Sequence, residues 1–118
     1  MSADALHELR ERLAAFAAAR DWEQFHSPKN LAMALSVEVA ELVEEFQWLT
    51  EEQSRALDAE RRERVRLELA DVFIYLVRIA DRLDVDLLAA ADDKIALNER
   101  KYPADRVRGD ARKYDEYD

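Results

Sequence analysis

Apolar residues recur at helical spacing along most of this chain. Successive residues placed about 100° apart around an axis put Leu31, Leu35, Leu42, Phe46 and Leu49 on one stripe of the stretch LAMALSVEVAELVEEFQWL. That spacing predicts a helix over Leu31–Leu49. An earlier helix is expected over Leu6–Ala18, with Leu6, Leu9, Leu13, Phe16 and Ala17 in register. A longer one is expected from about Asp58 to Leu83, striped by Val65, Leu69, Val72, Leu76, Ile79 and Leu83. In that helix Leu67, Phe73, Ile74 and Val77 lie elsewhere on the circumference. Apolar character nearly all round implies burial on more than one side, and in so small a chain the second neighbour is expected to be another subunit.

The breaks between stripes carry helix-end chemistry. Ser27 and Pro28 suit the N-cap and first position of the second helix, closing a pattern-free stretch, RDWEQFHSPK, that crowds Trp22, Phe25 and His26 together. Thr50-Glu51-Glu52-Gln53 has the form of a capping box and predicts a short helix. Asp84 or Asp86 is expected to cap a last helix running to about Lys101, with Pro103 stopping it. The tail from about Ala104 is mostly charged, with Tyr114 and Tyr117, and is expected to be disordered or laid across a neighbour. A single Gly and two Pro leave little material for hairpins, so the fold class is all-α. At 118 residues the chain suits one domain.

Composition narrows the function. A net charge of −9 repels nucleic acid, and one Gly rules out glycine-rich phosphate loops. Without Cys there is no thiolate chemistry, and two histidines, His7 and His26, make a zinc site a poor prospect. No stretch has the length and apolarity of a membrane span, and the N-terminus lacks a signal-peptide pattern. A cytoplasmic protein without membrane partners is expected.

The acidic residues then acquire a special interest. Glu38 sits near the centre of the apolar stripe, with Ala34 and Leu42 one turn away, so no local cation can compensate it. Glu41 and Glu45 lie at the stripe's edge, and Glu68 and Asp71 form a second pair on the long helix. Spacing alone decides little, because 27 acids in this chain give roughly six such pairs by chance. Arg64, one turn before Glu68, also offers an ordinary surface ion pair. If the two helices lie side by side, however, Glu38, Glu41, Glu68 and Asp71 can converge, and four close carboxylates cannot all stay ionised without a cation. Oxygen-only ligands select Mg2+, or Mn2+ as a substitute. Neither pair contains the His of a di-iron bundle. Carboxylate-held Mg2+ points to chemistry on a polyphosphate.

Glu38-Val-Ala-Glu41 followed by Glu68-Leu-Ala-Asp71 has the form ExxE…ExxD and resembles the all-α MazG-like nucleoside triphosphate pyrophosphohydrolases. Three further blocks look like the dCTP pyrophosphatase branch: Arg20-Asp-Trp-Glu-Gln-Phe-His26, Glu45-Phe-Gln-Trp48 with Glu68-Leu-Ala-Asp-Val-Phe-Ile-Tyr-Leu76, and Lys94 through Asn98 to Lys101-Tyr-Pro103. The resemblance covers the chain from about Leu6 to Tyr117. It implies a four-helix-bundle core assembled as a homodimer or homotetramer, and a single domain over 1–118. It implies cleavage of a (deoxy)nucleoside triphosphate, dCTP or a modified dCTP, to the monophosphate and pyrophosphate, in the service of nucleotide-pool cleansing.

Position by position, the resemblance assigns Glu38, Glu41, Glu68 and Asp71 to Mg2+; for the mechanism, Glu38 or Glu41 is expected to orient the attacking water. It assigns Trp22, His26, Trp48 and Tyr75 to the base pocket, and Lys94, Asn98, Lys101 and Tyr102 to the triphosphate. Leu13 stands where the branch often carries His, which leaves the choice of base open. A dUTPase-like or phosphoribosyl-ATP hydrolase of the same superfamily, or a non-catalytic helical module, are the alternatives.

Overall fold

A computed structural model describes residues 2–112 and 114–116, and every regular element among them is helical. Tyr117, part of the tail considered above, lies outside the described residues. The chain divides into two compact units, Met1–Val85 and Asp86–Asp118.

The first unit contains α1 (Ala3–Ala19), a 3-10 turn (Glu23–Phe25), α2 (Pro28–Glu44), a one-turn α3 (Glu51–Ser54) and α4 (Ala59–Arg82). The starts follow local side-chain chemistry. Ser2, Ser27 and Asp58 each accept a backbone N–H three residues on, which satisfies amides the helix cannot. At α3 the Thr50 hydroxyl accepts from the Gln53 N–H (3.1 Å) while Gln53 Oε1 accepts from the Thr50 N–H (2.9 Å), the reciprocal pair its sequence predicts.

Two helix ends share one device. After α1 the Trp22 N–H donates to the Ala17 carbonyl and the Asp21 N–H to Ala18; after α4 Val85 donates to Ala80 and Asp84 to Asp81. This 6→1 and 5→2 pairing needs a left-handed residue. With Gly109 the chain's single glycine, Asp21 (φ 52°) and Asp84 (φ 54°) take the position instead. The reversal at Asp21 brings Trp22 back onto Phe16, ring centroids 5.7 Å apart and edge-on.

The helix α2 stops at Glu44, earlier than the apolar stripe to Leu49 predicts. Continuation would give the Glu45 carbonyl to the Leu49 N–H. Arg61 of α4 donates to that carbonyl instead, and the Leu49 N–H turns to Phe46 (2.9 Å). Phe46 and Leu49 remain half-buried in the turns that follow.

Within this unit α4 packs chiefly against α2 and also against α1. Ala17, Leu31, Val65, Val77 and Ala80 are buried at the junction, and so is Arg78. The long apolar stripe on α4 is only partly covered: Leu69, Leu76 and Leu83 are 52%, 39% and 54% exposed.

The second unit carries α5 (Leu87–Lys101), α6 (Ala104–Val107) and a 3-10 turn (Tyr114–Glu116). Of the two expected caps for α5, Asp86 serves, accepting from the Ala89 N–H at 3.0 Å. In the tail Arg112 pairs with Asp110 (2.7 Å) and donates to the Glu116 carbonyl.

Candidate metal centre and adjoining cleft

Glu38 and Glu41 occupy successive turns of α2, and Glu68 faces them from α4. One carboxylate oxygen from each lies within 4.8 Å of the other two, and among the described residues this group could hold a metal ion. All three side chains are half-buried. Glu38 Oε2 and Glu68 Oε2 are sealed from solvent and have no hydrogen-bond partner, a costly condition for a carboxylate. Burial first, then the neighbouring Glu41, Asp71 and Glu68, push the Glu38 carboxyl up to about 6. Burial also raises Glu68, reinforced by Glu41, Asp71 and Glu45. Asp71, one turn beyond Glu68, acts on both electrostatically while remaining exposed itself. Unmatched negative oxygens, with no nitrogen or sulfur donor among them, suit a hard divalent cation.

Arg61 and Arg64, on the same helix as Glu68, are engaged elsewhere. Arg64 Nε lies 3.1 Å from Glu45 Oε1, and its Nη1 lies 3.3 Å from Glu60. Arg61 approaches Glu45 Oε1 at 3.4 Å. Glu45 is thus an ion-pair partner of two arginines.

Beside the carboxylates opens a cleft of about 380 Å³, lined by Leu13, Phe16, Ala17, Trp22, His26, Glu38, Asp71, Ile74, Tyr75 and Arg78. Most of its lining is apolar or aromatic, and Glu38 and Asp71 add carboxylates. The Trp22 and His26 rings lie 6.4 Å apart. Burial raises the Tyr75 phenol, helped by Glu38, Asp71 and Glu41, so it stays a hydrogen-bond donor at neutral pH. Burial lowers His26, with Arg78 and Arg82 adding to the effect and Glu23 opposing it.

The structure therefore brings Trp22, His26 and Tyr75 to one cleft with Glu38 and Asp71. It does not bring Trp48 there: that ring is 86% exposed on the turn after α2. Lys94, Asn98 and Lys101 lie on α5 with Tyr102 as its C-cap, in the second unit. Leu13, the departure noted in the sequence, does line the cleft. Arg78 is a lining residue that periodicity did not single out. Its signal was a cation in the otherwise apolar run Val77-Arg78-Ile79-Ala80.

Residues 33–117 match the model of the MazG-like family. Over 113 residues the chain is 50% identical to dCTP pyrophosphatase 1 of Homo sapiens, covering 94% of this chain and 66% of that protein. It is 48% identical to the Mus musculus dCTP pyrophosphatase 1, covering 92% of this chain and 65% of that one. The chain thus spans just under two thirds of the length of these relatives. A crystal structure of a pyrophosphatase from Archaeoglobus fulgidus superposes with a TM-score of 0.80 at 40% identity, covering 84% of this chain and 93% of the other.

Proposed function

The chain belongs to the MazG-like family, and from that membership we propose that it is a Mg2+-dependent nucleoside triphosphate pyrophosphohydrolase. The substrate is a (deoxy)nucleoside triphosphate, dCTP or a modified dCTP, and the products are the monophosphate and pyrophosphate. The relatives named dCTP pyrophosphatase support the substrate class. The observation that carries the reading is the meeting of Glu38, Glu41 and Glu68 from two helices, two of their oxygens buried without partners, with Glu38 also lining an aromatic cleft.

In this reading Glu38, Glu41, Glu68 and Asp71 hold Mg2+, or Mn2+ in its place. When bound, the ion supplies charge neutralisation at the phosphate oxygens and at the attacked phosphorus. Glu38 or Glu41 accepts a hydrogen bond from the attacking water and aims it in line. Trp22 and Tyr75 hold the base by ring contact and hydrogen bonding, and His26 contributes a polar edge. Lys94, Asn98, Lys101 and Tyr102 bind the triphosphate, the lysines stabilising the departing pyrophosphate. Trp48 reaches a base only if another chain presents it, which accords with assembly as a homodimer or homotetramer. Exposed Leu69, Leu76 and Leu83 supply apolar surface for such contacts. The family match running over 33–117 crosses both compact units, in keeping with a single domain. No helix among the described residues is long and apolar enough to cross a membrane, which fits a cytoplasmic enzyme.

The test is a panel of nucleoside triphosphates assayed for pyrophosphate release with Mg2+, on the native chain and on Glu38→Gln and Asp71→Asn. Hydrolysis should be lost in each variant while the helical circular-dichroism signal stays. Activity that survives both substitutions rejects this site.

A further inference from the structure

His26 meets Arg78 across 52 positions of chain, Arg78 Nη2 lying 3.3 Å from His26 Nδ1. The direction of that hydrogen bond is fixed by chemistry. A guanidinium carries five N–H donors and no acceptor, so His26 Nδ1 must accept. A neutral imidazole that accepts at Nδ1 carries its proton on Nε2. The Nε2 atom has no protein partner among the described residues, yet it is not sealed from solvent, and His26 lines the cleft.

Arg78 is held firmly enough to impose this. It is 4% exposed, and its Nη1 donates to Asp81 Oδ2 at 3.2 Å. Asp81 is in turn anchored by Arg10, Nε to Oδ1 at 3.5 Å. A protonated imidazole would turn an N–H against the guanidinium, and burial together with Arg78 and Arg82 keeps His26 neutral, against the smaller pull of Glu23. Leu13 and Ile74 add apolar lining, which strengthens any hydrogen bond made there.

We infer that Arg78 is a positioning residue that locks His26 in its Nε2–H tautomer, so that the cleft offers a hydrogen-bond donor at this point and selects a ligand carrying an acceptor there, such as a ring nitrogen or carbonyl of a base. The ligand half of this inference rests on the proposed nucleotide site; the tautomer half stands without it.

The experiment is a long-range 1H–15N spectrum of the full chain at neutral pH, with a His7→Gln variant to assign the two histidines. His26 should show an unprotonated Nδ1 and a protonated Nε2. Arg78→Met should give a mixture of tautomers, and Arg78→Lys, which keeps a buried cation should the Met variant misfold, should restore part of the Nε2–H form. A protonated Nδ1 in the native chain overturns the inference whatever the enzyme does. With the best triphosphate of the panel, Arg78→Met should raise KM roughly tenfold, the worth of one hydrogen bond, with a smaller change in kcat. KM should rise more for His26→Asn than for His26→Gln, whose amide N–H reaches the Nε2 position. The reverse order overturns the ligand half. Absence of hydrolysis by the native chain would reject the proposed activity and leave the tautomer result intact.

Discussion

Arg64 lies 3.1 Å from Glu45, the residue that closes the facing helix, although Glu68 sits one turn further along Arg64's own helix. The local ion pair that would have made Glu68 an ordinary surface acid does not form. Glu45 draws both Arg61 and Arg64 to itself, and Glu68 keeps a buried oxygen with no partner. The two arginines are thus drawn to a neighbouring carboxylate and form no ion pair with Glu68.

Removing that neighbour should release the arginines toward the cluster. Glu45→Ala is expected to weaken Mn2+ or Mg2+ binding roughly tenfold, as loss of an outer partner commonly does. Titration calorimetry of the metal alone reads this directly. Affinity equal to that of the native chain would show that Glu45 has no such role.

The cluster should also strain the metal-free protein. Glu38→Gln removes a charge from among Glu41, Asp71 and Glu68, so its melting temperature without metal should rise by roughly 4 °C. In excess Mg2+ the order should reverse, because only the native chain gains the stabilisation of binding. Paired melts with and without the ion check both signs.

The pH dependence follows from Glu38. Its carboxyl is raised from 4.5 to about 6, so the folded state binds protons more readily than the unfolded chain. Without metal, this group's contribution to stability is fully present below pH 4.5 and is lost as pH rises through about 6. Metal binding requires the ionised form and should run the opposite way, strengthening up to about pH 6 and then levelling. Melting and calorimetry across that window test the crossing trends.

The two tryptophans should separate cleanly. Trp22 packs edge-on against Phe16 and lines the cleft, so Trp22→Ala should cost about 1–2 kcal/mol, less than a fully buried aromatic. It should also remove the nucleotide-dependent change in fluorescence. Trp48, 86% exposed, should change stability by no more than about 0.5 kcal/mol when replaced by Ala. Thermal melts and nucleotide titrations measure both.

What could be read from the sequence was the chemistry contained within one turn of helix. Ser27 and Thr50 mark their helix starts, and the cap of the last long helix is narrowed to Asp84 or Asp86, because an N-cap contacts residues two or three positions away. Glu38 stood out because Ala34 and Leu42 cannot compensate it, and it lies at the centre of the cluster. What could not be read depends on distant residues. The end of α2 is set by Arg61 taking the Glu45 carbonyl, a contact no periodicity reports. The choice of Arg64 between Glu45 and Glu68 depends on how two helices face each other. Arg78 goes unmarked in the sequence because its partner His26, 52 positions away, reaches it only in the folded chain.

The 24-residue α4 bears Glu68 near its middle and Arg78 toward its end. At about 1.5 Å of rise per residue these are roughly 15 Å apart along the axis. A rigid rod therefore fixes the spacing of these two side chains, and any molecule that touches both must span it. Inserting a single alanine between Phe73 and Ile74 would swing the far end round by about 100°, leaving each end chemically unchanged while putting the two out of step.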